Sequence, residues 1–178
     1  MASIFHCLSL VSMLLDTREN TYRYLSEDIL MKWHAALFPT GYSGLHKIRV
    51  GEYRGEEAMR IISGPIGKEK VHYIAPPKKN LNKEMVLFFD RINHGDQTPP
   101  ILKAGIAHLW LVMIPPFDDG NGRICRAVSD YVLSKAFPLL VRIFSISREI
   151  HKNQKAYYAI LEQMGKNTVD ILFRDFLN

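Results

Sequence analysis

The sequence contains few cysteines, and its histidines are widely separated. The two cysteines, Cys7 and Cys125, lie far apart with no spacing that suits a metal site, and the seven histidines include no His-x-x-x-His pair. A disulfide-stapled secreted domain and a histidine-based zinc site are therefore disfavoured. We expect buried free thiols in a reducing compartment, which makes the cytoplasm the predicted location.

The sequence also lacks a hydrophobic run of membrane-spanning length. Its most apolar stretch, ILKAGIAHLWLVMI, has fourteen residues, fewer than the roughly 20 that cross a bilayer. The N-terminal SIFHCLSLVSMLL has no basic beginning and no small-residue cleavage site, so it does not fit a signal peptide. Its apolar residues Phe5, Leu8, Val11 and Leu15 recur at helical spacing, which predicts a packed amphipathic helix over residues 3–17.

Charge of one sign is in only slight excess. The count of 23 Lys and Arg against 18 Asp and Glu gives a net charge of +5, and the basic residues are scattered along the chain. This favours anionic partners in general, but not nucleic acid. With 178 residues and 47% hydrophobic residues, the chain suits one globular domain, residues 1–178.

Hydrophobic periodicity predicts a mainly α fold of about seven helices with one β-hairpin. Ser26 can cap the second helix, and we expect one helix to end before Pro115, because the residue that precedes a proline avoids helical angles. The predicted hairpin is RIISGPIGKEKVHYI, with its turn near residues 64–67. The predicted helices lie at residues 3–17, 26–37, 81–92 and 101–114, from the glycines at 120–122 to 137, and at 148–164 and 168–177.

The stretch DDGNGRICR, residues 118–126, contains the groups needed to hold a phosphate-rich ligand. A helix that begins within Gly-Asn-Gly leaves its first N–H groups unpaired, and the helix dipole adds partial positive charge there. Arg123 and Arg126 are three residues apart, so both can contact phosphate oxygens from one face. Asp118 or Asp119 could hold a divalent cation against those phosphates.

The same residues also suit a purely structural role. Asp-Gly-Asn-Gly is a common turn, and acidic residues often precede a helix. A simple cap does not require the two arginines, which slightly favours a ligand. Spacing alone does not decide between phosphate binding and an ordinary turn with a helix cap.

Residues 115–126, PPFDDGNGRICR, resemble the signature of the Fic (fido) family, H-x-F-x-(D/E)-G-N-G-R-x-x-R, at every defined position except the first. The segments WHAALFPTGYSG, RVGEYRG, ISGPIGKEKVHYIAPP and AGIAHLWLVMI resemble corresponding segments of bacterial Fic proteins. The resemblance covers residues 16–165. It implies one mostly helical Fic domain, with the N-terminal and C-terminal helices packed on this core.

The resemblance implies a protein adenylyltransferase. Fic proteins typically use Mg²⁺ and transfer AMP from ATP to a Tyr, Thr or Ser hydroxyl of a target protein, releasing pyrophosphate. The intact G-N-G favours AMP over phosphate or phosphocholine as the transferred group. The implied roles are Mg²⁺ binding for Asp119, an anion hole from Gly120, Asn121 and Gly122, distal phosphate contacts for Arg123 and Arg126, and anchoring of the loop in the core for Phe117.

The predicted hairpin corresponds, by the same resemblance, to the flap of Fic proteins. In the family the flap aligns a segment of the target protein by strand addition. The flap residues implied here are Arg60, Ile61, Ile62, Ser63, Val71, His72, Tyr73 and Ile74.

Position 115 departs from the family signature. The family's histidine removes the proton of the attacking hydroxyl, whereas Pro115 has no ionisable group and no backbone N–H. We expect His108 to be a core histidine, and His72 is a weak substitute base. Loss of a general base typically slows a reaction by about 10² to 10⁴. The chain is therefore predicted to bind ATP and Mg²⁺ but to transfer AMP poorly or not at all; the alternative is a non-catalytic, nucleotide-binding interaction module.

Many Fic proteins carry an inhibitory helix with the pattern (S/T)-x-x-x-E-(G/N), whose Glu pairs with the second arginine of the signature. The nearest match here runs from Ser145 to Glu149, but Ile150 follows it in place of Gly or Asn. The resemblance therefore implies an inhibitory helix that lies upstream or on another chain.

Overall fold

The computed structural model describes residues 2–63, 67–68, 70–94, 97–138 and 145–166. These residues form seven α-helices and two short antiparallel hairpins, which confirms the predicted mainly helical fold. None of the helices in these ranges is both long and apolar enough to cross a membrane. The helices are α1 (Ala2–Glu19), α2 (Glu27–Leu37), α3 (Leu81–Asn93), α4 (Pro100–Met113), α5 (Asn121–Ala136), α6 (Ile146–Lys152) and α7 (Gln154–Lys166).

Helices α4 and α5 form the centre of the core. They contact each other more extensively than any other pair of elements, and α1 packs on both α5 and α2. Trp110 and Leu111 of α4 and Ile124 and Val128 of α5 are at most 2% exposed. Each such side chain contributes about 1.5–3 kcal/mol by leaving water, so this helix pair gives the loop between them a rigid base.

Helix boundaries follow local signals in the sequence. Ser26 caps α2 as predicted, because its Oγ accepts a hydrogen bond from the Ile29 N–H at 3.4 Å. Helix α4 ends at Met113, and the Ile114 N–H makes the last helical bond, 2.9 Å to the Trp110 carbonyl. The predicted stop before Pro115 is therefore confirmed.

Helix α1 confirms the predicted helix but not its predicted packed face. Three of its four predicted core residues are about half exposed: Leu8 at 59%, Val11 at 51% and Leu15 at 49%. Among the α1 residues whose side chains the structure describes, the buried ones are Met13 and Thr17. The helix's own apolar residues lie on almost all of its sides, so their spacing does not select one face for packing. The side chain of Phe5 lies outside the described part.

Residues 148–164 form two helices instead of the single predicted one. Asn153 separates α6 from α7, and its side-chain amide donates to the Glu149 carbonyl at 3.1 Å. Asn competes for backbone hydrogen bonds in this way and so favours helix ends. Leu161 is buried, whereas Ile160 is half exposed. The predicted helix at 168–177 lies outside the described residues.

The predicted hairpin is confirmed as strands β3 (Arg60–Ser63) and β4 (Lys70–Ile74). Ile61 pairs with Tyr73, and the register shifts between Ile61 and Ile62. Helix α7 packs on β4, which gives this two-stranded sheet the support that an isolated hairpin lacks. A smaller hairpin, β1 (Tyr42–Ser43) with β2 (His46–Lys47), was not predicted, because two-residue strands leave no alternation to detect.

Candidate functional site

The loop between α4 and α5 contains the phosphate-binding candidates, and Gly120 sets its shape. Gly120 has φ +79°, and a Cβ there would lie 2.7 Å from Cε2 of Phe38. Both the left-handed backbone and this close approach require glycine. Helix α5 begins directly afterwards at Asn121, so it starts within the Gly-Asn-Gly sequence as predicted.

Asn121 closes the loop on itself. Its Oδ1 accepts from the Phe117 N–H at 2.9 Å, and its Nδ2 donates to the Phe117 carbonyl at 2.7 Å. Phe117 is fully buried and stacks on the His34 ring at 4.0 Å. Phe117 therefore anchors the loop in the core, and the side chain of Asn121 maintains the loop's conformation.

The start of α5 forms the candidate anion hole. The N–H groups of Arg123 and Ile124 bond to the Gly120 carbonyl at 2.9 and 3.0 Å. Those of Asn121 and Gly122 precede them and have no acceptor within their own helix. Gly122 is exposed, so its backbone is open to a ligand. Two outward N–H groups at a helix N-terminus are a suitable site for a phosphate.

The two acidic residues before the glycines have different roles. The Asp118 carboxylate accepts from the N–H groups of Arg49 at 3.0 Å and Gly55 at 3.2 Å, and it pairs with the Arg49 guanidinium at 3.2 Å. Burial raises the pKa of Asp118, but these hydrogen bonds and the Arg49 charge outweigh it, so the pKa is lowered overall. Asp118 therefore fastens the loop to its neighbours.

Asp119 keeps acceptor positions for a cation. Its Oδ1 accepts from the Gly120 N–H at 2.5 Å, and its Oδ2 accepts from the Ser43 hydroxyl. Each carboxylate oxygen has two lone pairs, so one position on each stays open. No group of three or more His, Cys, Asp or Glu comes together in the described ranges. Mg²⁺ is often held by one or two carboxylates plus phosphate oxygens, and Asp119 fits that pattern.

The two arginines of the motif point to different surroundings. Arg123 lies over the Phe38 ring, with its Cζ 4.7 Å from the ring centroid. Arg126 lines a cavity together with Asn121 and Gly122. Within the described part of the chain, no carboxylate forms an ion pair with Arg126. Arg126 is therefore available to an anionic ligand, while Arg123 also stabilises the loop by packing.

The cavity beside Arg126 has a volume of about 360 Å³, within the range of small-molecule sites. One part of its wall is polar and includes the start of α5, and another part is apolar and includes the flap residue Ile61. Its polar lining residues are Asn121, Gly122, Arg126, Ser147, His151 and Gln154; its apolar and aromatic lining residues are Ile61, Val112, Ile150, Tyr157, Tyr158 and Leu161.

Pro115 is buried, and neither of the histidines considered as its replacement is free to act as one. His108 Nε2 lies 3.1 Å from the Tyr157 hydroxyl, and burial and the charge of Arg126 lower its pKa to about 4. His108 is therefore a core histidine, as predicted. His72 Nδ1 lies 2.6 Å from the Glu162 carboxylate, and its ring stacks on Tyr158.

The flap has an inner and an outer face. Tyr73 is buried against Ala75 and Met113, while Ile62, Val71 and Ile74 are 45–60% exposed. A two-stranded sheet leaves one edge of each strand without a ladder partner. The flap therefore offers exposed apolar side chains together with strand edges, as a surface for strand addition requires.

Two residues that contact this loop were not predicted from the sequence as site residues. The buried His34 accepts from the Gly51 N–H at Nδ1 and contacts the Asp119 carbonyl through Nε2, both at 3.1 Å. Burial lowers the pKa of His34, which favours the neutral ring that this pairing needs. Arg54 donates to the Pro115 carbonyl at 2.9 Å. Both contacts involve backbone groups distant in sequence, which no local pattern reveals.

Sequence comparison relates this arrangement to known proteins. Residues 24–133, more than half of the chain, match the Fic/DOC family. Protein adenylyltransferase Fic of Nematostella vectensis is 30% identical over 127 residues, and protein adenylyltransferase fic-1 of Caenorhabditis elegans is 29% identical over 129 residues. The matches cover 70% and 67% of this chain but only 26% and 24% of the relatives. The chain thus spans about a quarter of the length of these curated relatives.

Solved structures with the same fold agree with the sequence matches. A Fic family protein from Desulfovibrio desulfuricans G20 has a TM-score of 0.72 at 25% identity, covering 91% of this chain and 46% of that protein. A Fic domain containing signaling protein from Bacteroides thetaiotaomicron VPI-5482 has a TM-score of 0.57 at 22% identity, covering 74% and 47%. The second likeness concerns the fold alone.

Proposed function

Because this chain belongs to the Fic/DOC family, we propose that its cavity beside Arg126 binds ATP with Mg²⁺ and is built for transfer of AMP to a target protein. The curated relatives are named protein adenylyltransferases. The observation that carries the proposal is the position of Arg126, which forms no ion pair with a carboxylate of the described residues and lines one cavity together with Asn121 and Gly122 at the start of α5. A guanidinium and a helix N-terminus together suit a polyphosphate.

The lining of the cavity suggests the orientation of the nucleotide. The phosphates would contact the N–H groups of Asn121 and Gly122 and the guanidinium of Arg126. The nucleoside would lie among the apolar and aromatic residues, which include Ile61, Tyr157 and Tyr158. Asp119 would hold Mg²⁺, which neutralises phosphate charge when bound.

The expected reaction requires a group that accepts a proton. The hydroxyl oxygen of a Tyr, Thr or Ser in the target forms a bond to the α-phosphorus of ATP, and the bond to pyrophosphate breaks. The hydroxyl proton must leave during this step. Pro115 offers only its carbonyl oxygen, which already accepts from Arg54. We therefore expect this chain to transfer AMP about 10² to 10⁴ times more slowly than a form with a base at this position.

The remaining parts of the proposal concern partners and location. The exposed apolar residues of the flap would align the target segment. The inhibitory helix would come from upstream or from another chain, because the described Glu149 pairs with Lys152 at 2.7 Å and not with Arg126. The buried thiol of Cys125 suits a reducing compartment such as the cytoplasm.

A non-catalytic nucleotide-binding module is the second candidate. Buried Pro115 favours it, because both histidines considered as replacement bases, His108 and His72, have other partners. Such a module would bind ATP through the same cavity and would use the flap to recruit a partner without transferring AMP. The two candidates therefore differ in chemistry and agree on nucleotide binding.

Calorimetric titration with ATP and Mg²⁺ tests the binding that both candidates share. We expect Arg126→Ala to weaken ATP binding by about 10- to 100-fold, as for a lost charged hydrogen bond. Arg23→Ala is the matched control, because Arg23 is exposed and does not line the cavity. Equal ATP affinity in the Arg126→Ala and Arg23→Ala variants would show that the cavity is not a nucleotide site.

A further inference from the structure

Arg54 is a buried cation that forms no ion pair with a carboxylate of the described residues, although the charges of Glu56 and Asp118 act on it from a distance. Its residue is 2% exposed. Within the described ranges, no carboxylate lies within 4.0 Å of its guanidinium. Buried charge is costly unless hydrogen bonds compensate it, and a hydrophobic residue of similar volume often stabilises a core better. The position of such a charge therefore calls for a specific explanation.

Within the part of the chain that the structure describes, the hydrogen bonds of the Arg54 side chain all go to backbone carbonyls. Nε donates to Pro115 at 2.9 Å, Nη2 to Pro76 at 2.6 Å and Nη1 to Glu57 at 3.4 Å. The Arg54 N–H also donates to the Pro116 carbonyl at 2.8 Å. Charged donors strengthen such bonds, and the planar guanidinium fixes their directions.

These carbonyls belong to two functional segments. Pro115 occupies the candidate catalytic position. Glu57 lies just before β3, and Pro76 lies just after β4, so they mark the two ends of the flap. A third bond closes the base of the flap, from the Ala75 N–H to the Met59 carbonyl at 2.9 Å. One side chain thus joins the catalytic position to both ends of the flap.

We propose that Arg54 is a positioning residue that fixes the flap relative to position 115. A hydroxyl presented by the flap would then arrive at a set distance from the group at position 115. The catalytic meaning of that distance rests on the proposed function. The hydrogen bonds by which Arg54 joins the two segments do not depend on it. Arg54 does not line the cavity beside Arg126, so its loss should affect the flap and leave nucleotide binding intact.

Hydrogen exchange on the unmodified chain provides a first test that requires no substitution. If Arg54 joins the two segments, the N–H of Arg54 and the N–H of Ala75 are exposed by one shared opening. Their exchange should then show the same free energy of opening and the same dependence on denaturant. Two amides that open with clearly different free energies or denaturant dependences would contradict the proposal.

The Arg54→Lys variant provides the second test, with Arg49→Lys as matched control. Arg49 lies in the same segment, but its side chain bonds to Asp118 and to neither end of the flap. We expect the amides of β4 to exchange about tenfold faster in Arg54→Lys, whereas those of α3 keep their rates. ATP affinity should stay within about twofold. Unchanged exchange in β4, or equal acceleration in β4 and α3, would overturn the positioning role.

Transfer measurements separate this inference from the proposed function. In a Pro115→His background, Arg54→Lys should reduce AMP transfer about tenfold or more at saturating ATP, through lost alignment. Transfer unchanged by Arg54→Lys would contradict the inference. If Pro115→His itself transfers no AMP, the proposed function fails. The exchange experiments still decide whether Arg54 joins position 115 to the flap.

Discussion

The two ends of the loop between α4 and α5 differ in what they retain. At the end that leads into α5, Gly120 has the required left-handed backbone, Arg126 faces a cavity, and Asp119 keeps open acceptor positions. At the other end, Pro115 is buried and offers no group that can take a proton. Under the proposed function, the groups expected to bind the nucleotide are all present, whereas the side chain expected to accept the proton is absent.

This difference shows that the geometry of the loop does not depend on a histidine at position 115. The backbone at this end is held by Arg54, which bonds to the carbonyls of Pro115 and Pro116. Carbonyl contacts are available to any residue, so they are indifferent to the side chain at position 115. The scaffold and the base are therefore separable, and each can be perturbed without the other.

At the end of the loop that leads into α5, the largest expected loss of stability comes from adding one methyl group at Gly120. Gly120→Ala places a Cβ on a left-handed backbone and 2.7 Å from Phe38, and we expect it to lower the free energy of unfolding by about 2–4 kcal/mol. Chemical denaturation measures this loss. Gly105→Ala is the control, because a Cβ at Gly105 meets nothing within 4 Å and alanine favours a helix. Similar stability of the two variants would contradict the role assigned to Gly120.

Low pH should decrease the free energy of unfolding by a comparable amount, because the buried His108 is then protonated. Burial and the charge of Arg126 lower the pKa of His108 to about 4, so the unfolded chain binds more protons below the ordinary histidine pKa of about 6.5. The free energy of unfolding should therefore fall as pH decreases from about 6.5 to 4, by about 3 kcal/mol from His108, and then level off. The lowered pKa of His34 acts in the same direction.

Denaturation curves at pH 7 and pH 4 measure this effect. The His108→Gln variant removes the titrating ring, so its decline between the two pH values should be about 3 kcal/mol smaller than that of the unmodified chain. His94→Gln is the control, since His94 is exposed at the C-terminal end of α3, where its ring hydrogen-bonds to Asp90 and contacts Tyr24. An equal decline in the unmodified chain and in His108→Gln would show that His108 is not the source.

The smallest expected effect distinguishes the two acidic residues of the loop. Asp119→Asn preserves a side-chain oxygen but removes the charge that would hold Mg²⁺, so ATP affinity should fall about tenfold with Mg²⁺ and stay unchanged with a chelator. Asp118→Asn should leave the Mg²⁺ dependence unchanged, because Asp118 bonds to Arg49 and Gly55. Calorimetry with and without Mg²⁺ compares them. Loss of the Mg²⁺ effect in Asp118→Asn alone would reverse the assignment.

Much of the fold could be predicted because its signals are local. Ser26 caps a helix, proline ends one before Pro115, and alternating β-branched residues mark the hairpin. Helix α1 shows where such signals fail. Its apolar residues surround the helix, so the face that contacts α2 and α5 is decided by packing and not by spacing.

The candidate site shows the same division. The motif residues from Asp119 to Arg126 could be predicted as site candidates in advance, since their expected chemistry depends on one short segment. The contacts of Arg54 and His34 could not, because their partners are carbonyl and N–H groups contributed by other segments. Any residue can supply a backbone carbonyl or N–H group, so the sequence does not indicate which one takes part in such a contact. The packing of Arg123 on Phe38 could not be predicted for a similar reason, because it joins two segments that are distant in sequence.

The most direct test of the account compares this chain with its Pro115→His variant. Each protein is incubated with Mg²⁺ and ATP labelled at the α-phosphate in a cell lysate, and the label on protein bands is measured. The account predicts that both proteins bind ATP equally and that Pro115→His labels itself or a target at least about 10² times faster. If both bind ATP and neither labels any protein, the missing base is not what prevents transfer, and the claim that the rest of the site is complete is wrong.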